Sequence, residues 1–181
     1  MTASSPPTSP RQDTTSAGYP AGTVLLDAGT TTARIAAQLP TDRELVVVTN
    51  SVPIAARLAA MPSVSLQLLG GRVRGLTQAA VGELTLRVLD TLRVDIAFIG
   101  TNAISVRHGL STPDGDEAAV KRAMVLAANY VVVAADSSKI GREDFVSFAP
   151  ISRVDTLITD CEISAGDREQ LTENGVEVVV A

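Results

Sequence analysis

From Thr23 to the end of the chain, short β-branched and aliphatic runs alternate with stretches of helical periodicity. No other feature restricts the fold as much. The runs are Thr23–Asp27, Leu45–Val48, Val64–Leu69, Val94–Ile99, Tyr130–Ala134, Asp155–Thr159 and Val176–Val180. They are nearly continuous in apolar character, as strands covered on both faces are. Between them lie Thr31–Leu39, Val52–Ala60, Glu83–Leu92, Asp116–Asn129 and Ala165–Asn174. Ile35, Ala36 and Leu39 recur at helical spacing in the first, and Ala119, Val120, Ala123, Met124 and Ala127 in the fourth. Asn174-Gly175 is a helix stop before the last strand. The alternation predicts an α/β fold of three layers: a mostly parallel sheet with helices on both faces and right-handed crossovers. Hydrophobic residues make up 45% of the chain but aromatics only 3%, with no Trp. Ala, Val, Leu and Ile must therefore fill the core, which suits helices packed closely on a parallel sheet.

Residues 1–22 have a different character. They are rich in Ser, Thr, Pro and Gly, with almost no aliphatic content, and predict a disordered tail before one domain over 23–181. The formal net charge of −5 argues against a long-range electrostatic grip on nucleic acid by this chain alone. The one cysteine, Cys161, excludes an internal disulfide framework and a clustered-Cys zinc site. The one histidine, His108, excludes a two-His metal motif and weakens a Ser-His-Asp reading. No metal and no cofactor is expected. No apolar run approaches the ~20 residues that span a membrane, and no apolar signal segment opens the chain. These absences predict a cytoplasmic protein with no membrane partner.

In open parallel sheets, ligands sit beyond the carboxyl ends of the strands. Five successive strands are followed by small, hydroxyl or amide residues: Asp27-Ala28-Gly29-Thr30-Thr31-Thr32, Thr49-Asn50-Ser51, Gly70-Gly71-Arg72, Gly100-Thr101-Asn102 and Asp136-Ser137-Ser138-Lys139. Gly29 permits close approach of backbone to a ligand. Thr30, Thr31 and Thr32 bring hydroxyls and free N–H groups to a helix start, where the dipole favours an anion; equally, one threonine could simply cap the helix. Lys139 offers a compact positive charge suited to phosphate, or is a solvated loop lysine. Gly29–Thr32 and Lys139 together predict a phosphate site, with Asp27, Asn50, Gly70, Gly71 and Asn102 around the remainder of a phosphorylated small molecule. Neither a P-loop nor a dinucleotide fingerprint is present.

Other polar residues read as structural. Cys161 is expected as a small packing residue and His108 as part of a turn. Asp116 and Glu117 suit the start of a helix. Lys121, four residues after Glu117, reads as an ordinary helical ion pair, and either could still rim a pocket. Only two of the 15 basic residues are lysines, Lys121 and Lys139, so each draws attention.

Several segments in order resemble a known family. They are Leu26–Thr32, Val48–Ser51, Leu69–Arg74 and Ala134–Lys139, with Gly82-Glu83-Leu84, Phe98-Ile99-Gly100, Gly109–Thr112 and Thr156–Asp160 between and after them. Over 23–181 the chain resembles the C-terminal sensor domain of DeoR-family bacterial transcriptional regulators. The resemblance implies a fold similar to ribose-5-phosphate isomerase and the CoA-transferase-like proteins. It also implies a homo-oligomer that senses a phosphorylated sugar or related metabolite. In such regulators DNA is bound by an N-terminal winged helix-turn-helix, which residues 1–22 are too short and too polar to form.

The isomerases of that fold use an Asp-Gly-Ala-Asp-Glu segment after the fourth strand. The similar position here reads Ile99-Gly100-Thr101-Asn102-Ala103, and an amide cannot act as a general base. The leading expectation is therefore an effector-binding domain without catalytic residues. The alternatives are a sugar-phosphate isomerase or related enzyme, and an oligomerisation module with a vestigial pocket.

Overall fold

A computed structural model describes residues 22–181. The expected tail, residues 1–22, lies outside them except for Gly22, which opens the first strand. The elements in order are β1 (Gly22–Leu26), α1 (Thr30–Ala36), β2 (Leu45–Thr49), α2 (Val52–Leu58), β3 (Val64–Leu68), β4 (Arg72–Val73), β5 (Ala80–Val81), α3 (Glu83–Asp90), β6 (Val94–Gly100), β7 (Ala103–Ser105), β8 (Gly109–Thr112), α4 (Gly115–Ala127), β9 (Ala128–Ala134), β10 (Val146–Ala149), β11 (Thr156–Thr159), α5 (Ala165–Glu173) and β12 (Glu177–Val180). Short 3₁₀ turns occupy Ser137–Lys139 and Ile151–Arg153.

The seven apolar runs read from the sequence become one seven-stranded sheet in the order β12-β11-β9-β6-β1-β2-β3. Every pairing in it is parallel. The side chains of one strand alternate between two cores. Leu25, Ala97, Ile99, Val131 and Val133 join α3, α4 and α5 on one face. Val24, Leu26, Val47 and Ile96 join α1 and α2 on the other. This alternation between two buried faces is the three-layer arrangement expected from the continuous apolar runs. Each fully buried Leu or Ile adds roughly 1.5–3 kcal/mol relative to exposure; Leu25, Leu26, Ile99 and Leu157 of the large sheet are among them, as are Ile54, Leu58 and Leu89 of the helices.

Two small antiparallel pieces were not legible as strands. One is β10-β8-β7, which packs against α4 and contributes Ile104, Leu110 and Phe148 to the larger core. The other is the ribbon β4-β5. Both carry polar or very short runs that satisfy no periodicity of their own. Gly71, expected to line a ligand, has φ +150° and sits where a Cβ would lie 2.4 Å from Thr85 Oγ1 and 2.6 Å from the Val81 carbonyl oxygen. The ribbon can close only around a glycine there. Cys161 is exposed rather than packed, a correction to its expected role.

Candidate functional site

The chain runs outward from β1 through β2 to β3, then returns to lay β6 on the other side of β1. The sheet thus reverses its winding between β1 and β6, where a crevice opens beyond the strand ends. A cavity of about 300 Å³ lies at that point. Four neighbouring strands feed it: β1 through Asp27–Thr32, β2 through Asn50, β6 through Gly100–Asn102, and β9 through Ala134–Asp136 and Lys139. Of the residues expected at the site, Asp27, Gly29, Thr30, Thr31, Thr32, Asn50, Asn102 and Lys139 line this cavity. Gly70 and Gly71 do not; both follow β3, two strands from β1, roughly 10 Å away at the spacing of a sheet. The Gly70 carbonyl instead accepts the Thr85 hydroxyl at 2.7 Å.

Asp27 is buried at the floor of the cavity. Its Oδ1 accepts the Ala28 N–H at 2.8 Å, and its Oδ2 accepts the Gly100 N–H at 3.0 Å. The Lys121 ammonium donates to the same Oδ2 and, at 2.9 Å, to the Gly100 carbonyl. It also lies 5.8 Å from the centroid of the Phe148 ring. Lys121 is therefore not the surface ion-pair partner of Glu117 that its spacing suggests. It is buried, and reaches from α4 to the end of β1. Glu117 is taken by the ribbon: Arg74 pairs with it and with Asp114, the latter at 3.0 Å, while the Thr77 hydroxyl donates to it at 2.6 Å. No local pattern reports these contacts. Lysine's rarity in the chain was the one signal pointing to Lys121.

At the start of α1 no threonine takes the capping position. The N-cap is Gly29, at φ +146°, and no side chain caps the helix. Thr30 and Thr31 are exposed in the first turn, where backbone N–H groups have no intrahelical acceptor. The Thr32 hydroxyl is turned back onto the Gly29 carbonyl at 3.0 Å. The Ser137–Lys139 turn, which brings Lys139 to the same cavity, is held by two carboxylates. Asp136 Oδ1 accepts the Ser138 N–H at 3.1 Å, and Asp160 Oδ2 accepts the Ser137 N–H at 3.0 Å. The Ser137 N–H holds the Asp160 carboxyl below the usual carboxylate range. Lys139 is half-buried and has no ion-pair partner among the described residues.

Asn50 is buried; its Nδ2 donates to the Ala80 carbonyl at 3.1 Å, and its Oδ1 has no partner among the described residues. Asn102 is exposed at the rim, and its backbone N–H donates to the Ser111 carbonyl at 3.3 Å. His108, expected in a turn, lies outside the cavity with Nε2 3.0 Å from the Asp144 carbonyl oxygen. Among the described residues no cluster of His, Cys, Asp and Glu could hold a metal ion, and no helix is long and apolar enough to cross a membrane.

Residues 19–161 match the family model of the DeoR C terminal sensor domain. The chain is 42% identical over 156 residues to the HTH-type transcriptional regulator GlpR of Haloferax volcanii, covering 86% of this chain and 61% of that protein. It is 30% identical over 156 residues to the glycerol-3-phosphate regulon repressor of Escherichia coli strain K12, covering 86% of this chain and 62% of the repressor. The chain thus spans about three fifths of the length of these relatives. Among solved structures it is similar to ribose 5-phosphate isomerase A of Methanocaldococcus jannaschii, with 21% identity, a TM-score of 0.44, and coverage of 66% of this chain and 46% of that one.

Proposed function

Because the chain belongs to the DeoR C-terminal sensor domain family, we propose that its switch-point cavity binds a phosphorylated sugar or related phosphorylated metabolite and releases it unchanged. One observation carries this reading. Lys139, a cation without an ion-pair partner among the described residues, lines the same cavity as the uncapped first turn of α1. A phosphate there meets a point charge on one side and unsatisfied N–H groups and threonine hydroxyls on the other. Asp27, Asn50 and Asn102 provide the polar groups for ligand hydroxyls, and the unpartnered Asn50 Oδ1 is an acceptor suited to one of them.

The cavity's carboxylates support binding without turnover. Asp27 is held by Lys121 and two N–H groups, Glu117 by Arg74 and Thr77, and Asp136 by Ser138. Asp27 and Glu117 are each committed to a cation, and the Asn102 amide has no basic group to take a proton from a sugar carbon. In a longer regulator, ligand binding acts on transcription by changing how attached DNA-binding domains are spaced in a homo-oligomer. This acidic chain by itself is not expected to grip DNA.

Isothermal titration against pentose, hexose and triose phosphates tests the reading, with sn-glycerol 3-phosphate included because of the relative's regulon. Saturable binding of one phosphosugar, with its dephosphorylated form silent, is the expected result. A coupled assay that detects isomerisation of the bound sugar would replace the sensor with an enzyme.

A further inference from the structure

Helix α4 divides the cavity just described from a second one, and consecutive residues of the helix face the two. Lys121 lines the first and Arg122 the second. The second cavity, of about 650 Å³, lies between α4, the β7–β8 turn, β10 and the 3₁₀ turn Ile151–Arg153. Its lining is apolar through Val106, Val125, Leu126, Phe148 and Pro150. Leu126 is 60% exposed, so part of this apolar surface is uncovered.

The charged groups around it are Arg107, Arg122 and Arg153, and no carboxylate is among its lining residues. Arg107 is paired with Glu143. Arg122 is held differently: Nη2 donates to the Ser147 carbonyl at 2.7 Å and Nε to that of Phe148 at 3.4 Å. Neutral acceptors fix the guanidinium in place and leave its charge uncompensated. Arg153 is exposed and has no ion-pair partner among the described residues. In a chain with 20 acidic residues and a net charge of −5, this is a local reversal of sign over an apolar floor. Guanidiniums select phosphate or carboxylate oxygens, and the floor gains from covering by apolar atoms.

We propose that this second cavity is a separate binding site for a small organic anion with an apolar body, its phosphate or carboxylate held by Arg122 and Arg153. Phenyl phosphate is a suitable probe, with inorganic phosphate and phenol as its two halves. In an amide-detected NMR titration of the whole chain, phenyl phosphate should shift Val106–Gly109, Arg122–Leu126 and Ser147–Arg153. It should bind about tenfold or more tightly than either half. Arg153→Ala, at an exposed residue without an ion-pair partner among the described residues, should weaken binding about tenfold, and Arg122→Ala should do the same. Lys139→Ala should leave these shifts unchanged. Shifts confined to the residues around Lys139, or undiminished binding in Arg153→Ala, would overturn the proposal. So would a glutamate-rich peptide binding this face where phenyl phosphate does not.

Discussion

Asp27 and Lys121 form a buried ion pair, with side chains only 3% and 8% exposed, that ties the end of β1 to the middle of α4. The Gly100 backbone completes it from both sides, donating its N–H to the carboxylate and accepting from the ammonium. A buried pair of this kind is strongly destabilising to break, because the surviving charge stays desolvated.

Lys121→Met should therefore lower stability by about 3–5 kcal/mol, read as a shift in the urea midpoint at constant m-value. Adding Asp27→Leu should recover part of the loss, since the stranded carboxylate goes with it. A double variant no more stable than the single one would show that the Gly100 bonds, not the pair, hold the floor together.

Lys139→Ala should behave in the opposite way. Its ammonium pairs with no carboxylate among the described residues, so stability should stay within about 0.5 kcal/mol of the parent. Phosphosugar affinity should fall about tenfold or more, the loss of one or more charged hydrogen bonds. Titration calorimetry alongside thermal melting separates the two effects; unchanged affinity would put the anion elsewhere in the cavity.

Gly70 and Gly71 are adjacent, yet their substitutions should diverge. Gly71→Ala places a methyl against Thr85 Oγ1 and the Val81 carbonyl at a strained φ, and should cost about 2 kcal/mol or more. A Cβ at Gly70 meets nothing within 4 Å, so Gly70→Ala should be close to neutral. Neither should alter ligand affinity in the folded protein. Denaturation midpoints and calorimetry on both variants check this directly.

Asp160 gives the Lys139 turn a dependence on acid. The Ser137 N–H holds its carboxyl below the ordinary range in the folded chain. Its contribution is therefore fully present above the unfolded value, about 4, and is lost as pH falls through the lower folded value. Parent and Asp160→Asn should differ in melting temperature at neutral pH and begin to converge only as pH falls below about 4, towards the lower folded value. A gap that persists unchanged into acid would mean that the carboxylate charge has no part in holding the turn.

The central sheet and its flanking helices were legible because both faces of each strand are buried, which forces continuous apolar runs of recognisable length. The small antiparallel pieces were not, since their strands are short and owe their conformation to α4 and to each other. At the site, residues directly following the four central strands could be placed by the switch-point rule. Gly70 and Gly71 fell outside because strand order, which no local pattern encodes, puts β3 at an edge. Lys121 was hidden by a plausible neighbour: Glu117 stands at the right helical spacing but is claimed by Arg74, 43 residues earlier in the chain. The second cavity, with Arg107, Arg122 and Arg153 around it, draws on segments with no common sequence motif.

The ion pair at the cavity floor also orders events during synthesis. Asp27 is synthesised before its cation, which follows 94 residues later, beyond the β6 strand that pairs with β1. Contacts of such separation form late, after the intervening chain has closed its loop. A nascent chain that has not yet exposed α4 cannot bury the Asp27 carboxylate at low cost. The first three strands must wait with that end of β1 solvated, a window in which chaperones or proteases can act before the cavity exists.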